Sequence, residues 1–160
     1  MYIINTTIMH ILKRVTKLPI SVNEAWEFFS SPKNLQTITP SYMGFIIKSG
    51  ADVSMYSGML IRYTVTPILG IPLDWVTEIT HVENMKFFVD EQRVGPYAIW
   101  HHEHHFKAIP NGVEMTDIVS YKLPFGFIGA LLEPFIVKGK VEEIFNYRNK
   151  RMGELFGEYK

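Results

Sequence analysis

Between Gly44 and Leu123 the chain reads as six runs in which apolar and polar residues alternate, and this pattern decides which folds are open to it. The runs are GFIIKSG, GMLIRYTVT, LDWVTEITHV, KFFVDEQRV, AIWHHEHHFKAI and VEMTDIVSYKL. Turn signals separate them: Gly50-Ala51-Asp52, Pro67 to Pro72, Glu83-Asn84, Gly95-Pro96 and Pro110-Asn111-Gly112. A period of two puts successive side chains on opposite faces, which is the mark of a strand. Connections this short join antiparallel neighbours, because parallel strands need a long crossover. Six consecutive strands therefore predict an antiparallel meander.

A sheet of this kind needs cover on one face, and the flanking segments supply it. Residues 8–18, IMHILKRVTKL, also alternate and predict a seventh strand, closed by Pro19. Ser21 with Glu24 three residues on makes a capping box, and Val22, Ala25, Trp26 and Phe29 then share one helical face. Ser31-Pro32 opens a second short helix, which Thr39-Pro40 ends. Beyond Pro124 the period changes to three and four. Val137, Val141, Ile144, Phe145, Met152, Leu155, Phe156 and Tyr159 predict one long amphipathic helix over about 134–158. The expectation is an α+β fold: a curved antiparallel seven-stranded sheet wrapped around a long C-terminal helix, with two short helices after the first strand. Residues 1–160 then form a single domain. A sheet gripping a helix leaves space beside the helix, and such spaces bind ligands.

Composition removes several functions. Sixteen basic residues balance sixteen acidic ones, so no global field draws in nucleic acid or anionic lipid. Cysteine is absent, which excludes disulfides, thiolate catalysis and zinc–cysteine sites. The opening MYIINTTIMHILKR is too short and too broken by polar residues for a secretory signal, and no run is long enough to span a bilayer. The expectation is a cytoplasmic protein with no stable membrane insertion. No phosphate loop or nucleophile elbow is present, so no cofactor is predicted. Nothing favours a particular oligomeric state. Eleven Phe, eight Tyr and three Trp suit a packed core and also a cavity for an apolar ligand.

The chemistry-bearing residues concentrate in AIWHHEHHFKAI. Alternation puts Trp100, His102, His104 and Phe106 on one face and His101, Glu103, His105 and Lys107 on the other. The two large rings mark the first face as covered, so the second meets water. The outward set His101-x-Glu103-x-His105 lacks a fourth ligand, and no metal is predicted. With Pro110-Asn111 as a two-residue turn, His104 faces Asp117, His102 faces Val119 and Trp100 faces Tyr121; with Asn111-Gly112 as the turn, the partners slip by two. In either register Met115, Asp117, Val119 and Tyr121 share the covered face with His102 and His104. Ionisable groups there are unfavourable unless paired, so a His–Asp contact is predicted. In FVDEQRV, Asp90 and Gln92 share the side of Phe88. Offsets of three and four bring Arg148 onto the apolar stripe of the last helix. Its head either snorkels to solvent or reaches the cavity, to pair with Asp90, Asp117 or an anionic ligand. Trp26 and Trp75 read as core.

Three stretches resemble a known family: Pro32, Asn34, Leu35, Thr39 and Pro40 in PxNLxxxTP; Phe88 to Phe106 in FxDxQxxGPYxxWxHxHxF; and Met115 to Gly126 in MxDxVxYxLPFG. They resemble the SRPBCC superfamily, the START and Bet v 1-like proteins of helix-grip fold. They are also similar to its bacterial branch, labelled cell-division-inhibitor-like or polyketide cyclase/dehydrase-like. The resemblance implies an internal cavity between sheet and C-terminal helix that takes a small hydrophobic ligand of lipid, polyketide or isoprenoid type. It also favours the face of Asp90 and Gln92 as inward. The candidate ligand-binding residues are then Asp90, Gln92, Trp100, His102, His104, Asp117, Tyr121 and Arg148. A second expectation is a cyclase or dehydratase in which His104 or His102 acts as general base, Asp117 fixes its tautomer, and Arg148 or Tyr121 polarises a carbonyl. A third is a protein-interaction domain whose cavity is filled by its own side chains. The iron-binding histidine pattern and Rieske partner of the oxygenase members are not visible in this sequence.

Overall fold

The alternating runs pair into one antiparallel sheet of seven strands, in the spatial order β1-β7-β6-β5-β4-β3-β2. The strands are β1 His10–Leu18, β2 Ile46–Ser49, β3 Met59–Val65, β4 Leu73–Glu83, β5 Phe87–Val94, β6 Ile99–Ile109 and β7 Gly112–Lys122. This computed structural model describes residues 9–66, 71–124 and 137–160. Strands β2 to β7 form the meander that the short turns dictate, and β1 closes on the far edge of β7. The period of two survives as burial: Met59, Ile61, Tyr63 and Val65 are buried on β3, while Leu60 and Arg62 between them are exposed. Register shifts at Ile47/Ser49, Val76/Thr77 and Ile79/His81 are the irregularities that bend a sheet around its cover.

The β6–β7 turn selects the first of the two registers open to the sequence. Ile109 stands opposite Gly112, with Pro110 and Asn111 between them. Proline supplies the first turn conformation, and Asn111 takes the positive φ of 60° that a type II turn needs next. Gly112 is required by close approach. A Cβ there would stand 2.3 Å from the Leu18 carbonyl oxygen and 3.0 Å from the Tyr159 ring.

Two short helices follow β1. The first, α1 Val22–Phe29, carries the full capping box: the Ser21 N–H donates to Glu24 Oε2 at 2.8 Å and the Glu24 N–H to Ser21 Oγ at 3.2 Å. It buries Ala25 and Trp26, the latter edge-on to Phe88 and Phe106. The second, α2 Pro32–Leu35, is a single turn opened by its proline. It stops before Thr39-Pro40, where the Thr39 hydroxyl donates to the Leu35 carbonyl at 2.6 Å. A 3-10 turn at Ser41–Met43, not expected from the sequence, leads into β2.

The long helix α3, Lys138–Phe156, covers the sheet with Val141, Phe145 and Met152. Met152 joins Trp26, Phe88, Phe106 and Met115 in one core cluster, and Val141 and Phe145 join Val119 and Tyr121 in another. Each such side chain contributes about 1.5–3 kcal/mol on burial. The exposed pairs Lys140–Glu143 and Lys150–Glu154 add at most about 1 kcal/mol each, so packing holds the helix in place. Two expectations need correction. Leu155 is exposed rather than on the buried stripe. The helix ends at Phe156, where Gly157 turns to a φ of 87°, so Tyr159 lies beyond it and donates its hydroxyl to the Pro110 carbonyl at 2.6 Å. The first eight residues, the Pro67 turn signal, Gly126 of the last motif and the expected helix start at 134–136 lie outside the described residues. Among the described residues, no helix is long and apolar enough to cross a membrane.

Candidate functional site

A cavity of about 580 Å³ lies between the inner face of the sheet and α3. That volume matches small-molecule sites. Phe45, Ile61, Trp75, Ile79, Tyr97 and Phe145 form much of its apolar wall. Trp75 is therefore cavity wall as well as core; its indole N–H donates to Thr77 Oγ1 at 3.1 Å, which leaves its ring faces for packing. The exposed residues Ile71, Asn146 and Asn149 also line the cavity and mark where it meets solvent.

One part of the wall is ionic. Strand pairing sets Asp90 opposite His102 and Asp117 opposite His104, on three adjacent strands. The hydrogen bonds run along the diagonals. The His102 Nε2–H donates to Asp117 Oδ1 at 2.9 Å, and the His104 Nε2–H donates to Asp90 Oδ2 at 2.9 Å. The remaining nitrogens also face carboxylates. His104 Nδ1 lies 2.9 Å from Asp117 Oδ1 but is misaligned, so it has no hydrogen-bond partner among the described residues. His102 Nδ1 lies 3.6 Å from Asp90 Oδ2, too far for a hydrogen bond. The two imidazoles stack at 3.7 Å between centroids, with Phe88 on the other side of His104 at 4.1 Å. His102 and Asp117 are buried, whereas His104 and Asp90 keep some surface toward the cavity.

These environments push the two imidazoles apart. Burial disfavours the His104 imidazolium, but the carboxylates of Asp117 and Asp90 outweigh it and raise the His104 pKa. Burial and the neighbouring His104 charge lower that of His102, against its bond to Asp117. Burial also opposes ionisation of Asp117 and Asp90, yet hydrogen bonds and charge from the imidazoles hold both below the ordinary carboxylate range. Arg148 completes the group. Burial lowers its pKa, while Asp117 and Asp90 act on it at longer range in the opposite sense. Two negative charges then meet two positive ones, and the wall is neutral when the imidazole pair carries one proton beyond its two Nε2–H protons.

Arg148 lines the cavity, so its head does not snorkel to solvent. Nor does it form an ion pair with Asp90 or Asp117 among the described residues; those carboxylates turn one oxygen each to an imidazole instead. Its guanidinium packs 5.2 Å from the Phe145 ring, and its Nε is buried without a partner. Trp100, His102, His104, Asp90, Asp117 and Arg148 all line the cavity. Gln92 and Tyr121 do not. The Gln92 amide is consumed in clamping the β5–β6 loop, donating to the Tyr97 carbonyl at 2.6 Å and accepting from the Tyr97 N–H at 3.1 Å. Tyr121 is buried among Tyr97, Trp100 and His10 at the end of the sheet. Sequence reasoning overlooked Tyr97, although Gly95-Pro96-Tyr97 belongs to the motif quoted above; the loop folds this ring inward onto Trp75 and Trp100.

On the outer face His101 bonds Glu91 at 3.0 Å and His105 bonds Glu103 at 2.8 Å, so these rings are paired at half exposure rather than free in water. The group with the spacing to hold a cation lies inward instead: ligand atoms of Asp90, His102 and His104 fall within 4.8 Å of one another. Their donor atoms are turned to one another, and Arg148 adds a positive charge nearby, which disfavours a cation there.

An open antiparallel sheet gripping a C-terminal helix, with two short helices after the first strand, is the helix-grip fold of Bet v 1-like proteins. Solved structures of this shape include the allergen Ara h 8.0201, at 13 % identity over 91 % of this chain and 99 % of that one, with a TM-score of 0.59. The norcoclaurine synthase of Thalictrum flavum matches at 15 % identity over 90 % of this chain and 93 % of the other, with a TM-score of 0.63. A protein from Chromobacterium violaceum matches at 12 % identity over 93 % and 99 %, with a TM-score of 0.69. At such identities the likeness is one of fold. No protein-family model matches the sequence, and neither does any curated protein.

Proposed function

We propose that this protein binds a small, mainly apolar molecule, of lipid, polyketide or isoprenoid type, inside the cavity. The polar head of that molecule lies against the wall formed by Asp90, His104 and Arg148. The observation that carries this reading is a cavity of about 580 Å³ whose apolar lining ends in one ionic patch. Apolar burial at about 25 cal/mol per Å² supplies affinity, and the patch supplies orientation. Trp100, His102 and Asp117 shape and hold that patch. A carrier or sensor in the cytoplasm, with no nucleic-acid partner, agrees with the balanced charge.

The second reading is a cyclase or dehydratase, favoured by the opposed shifts of two stacked imidazoles and by a fold shared with a norcoclaurine synthase solved with a transition-state analogue. Against it, the His102 and His104 nitrogens are directed at Asp90 and Asp117, so neither ring offers a lone pair to a substrate. The space beside α3 speaks against a cavity filled by its own side chains.

Titration with a neutral, environment-sensitive apolar dye tests the binding reading. The wild type saturates at one site per chain. Ile61→Trp, which projects an indole into the cavity, loses that binding while circular dichroism shows a folded chain. A wild type that leaves the dye in water contradicts the reading.

A further inference from the structure

Arg148 is what apolar binding alone leaves unexplained. A methionine or leucine would continue the stripe of Val141, Phe145 and Met152 and fill the same space. Instead the stripe carries a guanidinium whose buried Nε has no partner among the described residues. Such a donor is unfavourable until something accepts from it. Among the described residues no acceptor reaches it: Asp117 and Asp90 accept from His102 and His104 and form no ion pair with Arg148, and the Tyr63 hydroxyl is paired with Thr77 at 2.6 Å. The other cations near the cavity are engaged as well. Arg14 on β1 donates to Asn146 Oδ1 at 3.4 Å, and Lys140 on α3 pairs with Glu143 at 2.7 Å. Arg148 is therefore a planar, charged donor without an acceptor among the described residues, and its guanidinium fits a carboxylate edge to edge.

Charge balance adds a condition. Asp90, Asp117, Arg148 and the proton on the imidazole pair already cancel. A bound carboxylate leaves the buried group one charge too negative unless a proton enters with it. Among the described residues, the imidazole nitrogen left to take that proton is His102 Nδ1, which faces Asp90 Oδ2 across 3.6 Å without a hydrogen bond. Protonated, it sets a positive charge against Asp90. Resting on the cavity-binding reading above, we propose that the cavity selects apolar monocarboxylates, holds the carboxylate on Arg148, and takes up one proton at His102 on binding. The complex then holds one proton more than its separated parts, so rising pH opposes binding. The ligand is not the source of this dependence, because a carboxylic acid with a pKa of about 4 stays ionised across the neutral range.

The test compares naphthylacetate with neutral naphthylacetamide, which share one apolar body, alongside a neutral phenylnaphthylamine dye that reports the cavity itself. Calorimetry near neutral pH in buffers of different ionisation enthalpy counts the protons. The acid binds roughly ten- to a hundredfold more tightly than the amide, with about one proton taken up. Its affinity falls between about pH 6 and 8 while that of the amide stays level. Arg148→Met abolishes the acid preference, so that acid and amide bind alike in a chain that circular dichroism shows to be folded. Equal affinity for acid and amide in a wild type that binds the dye overturns this inference alone. Failure to bind the dye overturns the cavity reading with it. An acid preference without proton uptake, or one that survives in Arg148→Met, overturns the assigned roles of His102 or Arg148.

Discussion

The two faces of β6 carry the same residue type to different ends. Inward, His102 and His104 stack on each other, and their nitrogens face the buried carboxylates of Asp90 and Asp117. Outward, His101 and His105 bond Glu91 and Glu103 at half exposure. The distances are alike, from 2.8 to 3.0 Å, so geometry does not separate them. Burial does. A charge pair bathed in water contributes little, because solvent replaces whichever partner is lost. A pair inside the wall has no such replacement, and breaking it strands a charge.

The largest expected contrast comes from removing one carboxylate on each side. Asp117→Ala leaves the imidazole pair without its shared acceptor, and urea unfolding should show a loss of about 3–5 kcal/mol. Glu103→Ala on the opposite face should cost less than about 1 kcal/mol. Comparable losses would erase the distinction.

The pH dependence of stability sharpens it. The folded pKa of Asp117 is depressed, so its contribution is present above the unfolded carboxylate value near 4 and is lost as the pH falls through that region. His102 is also depressed, so its share fades as the pH falls below the free imidazole value of about 6.5. His104 is raised, so its share is complete below that value and is lost as the pH rises through its folded pKa. The two windows lie on opposite sides of the free imidazole value, so wild-type stability should pass through a maximum near it and fall on either side. His102→Gln should remove the limb below that value and leave the decline above it, of up to about 1.4 kcal/mol per unit, unchanged. Urea midpoints across the pH range measure this; a His102→Gln variant that keeps the wild type's loss of stability just below the free imidazole value would contradict it.

How much of this was legible in the chain follows from which interactions have a period. The strands, the meander of β2 to β7 and the covered face of β6 could be read because alternation and short turns repeat locally, whereas the long-range pairing of β1 with β7 has no local signal. Pro110-Asn111 allowed the observed register, although its one-step rival differed only in where the turn began. Alternation also placed Gln92 and Tyr121 on the face of the cavity residues, yet neither lines the cavity, because both lie where β5, β6 and β7 end against the loop that carries Tyr97. The diagonal bonds of His102 to Asp117 and His104 to Asp90 depend on side-chain rotamers that no spacing reveals. Arg148 stood out on the stripe of α3, but its lack of a partner depends on how Asp90, Asp117 and Tyr63, on three different strands, turn their side chains.

The smallest expected effect concerns metal. Neither the outward set His101, Glu103 and His105 nor the inward set Asp90, His102 and His104 should retain a stoichiometric transition metal in untagged protein. Elemental analysis showing one equivalent, lost in Asp90→Ala, would replace the ionic wall with a metal centre.

Nitrogen NMR of the imidazoles tests the central claim most directly, because it reports each ring's protonation in the free protein. Near neutral pH the account predicts one imidazolium, His104, beside a neutral His102 that carries its proton on Nε2. As the pH is varied the two should titrate on opposite sides of the free value. Two rings that titrate together at the free value, or a His102 more basic than His104, would contradict it.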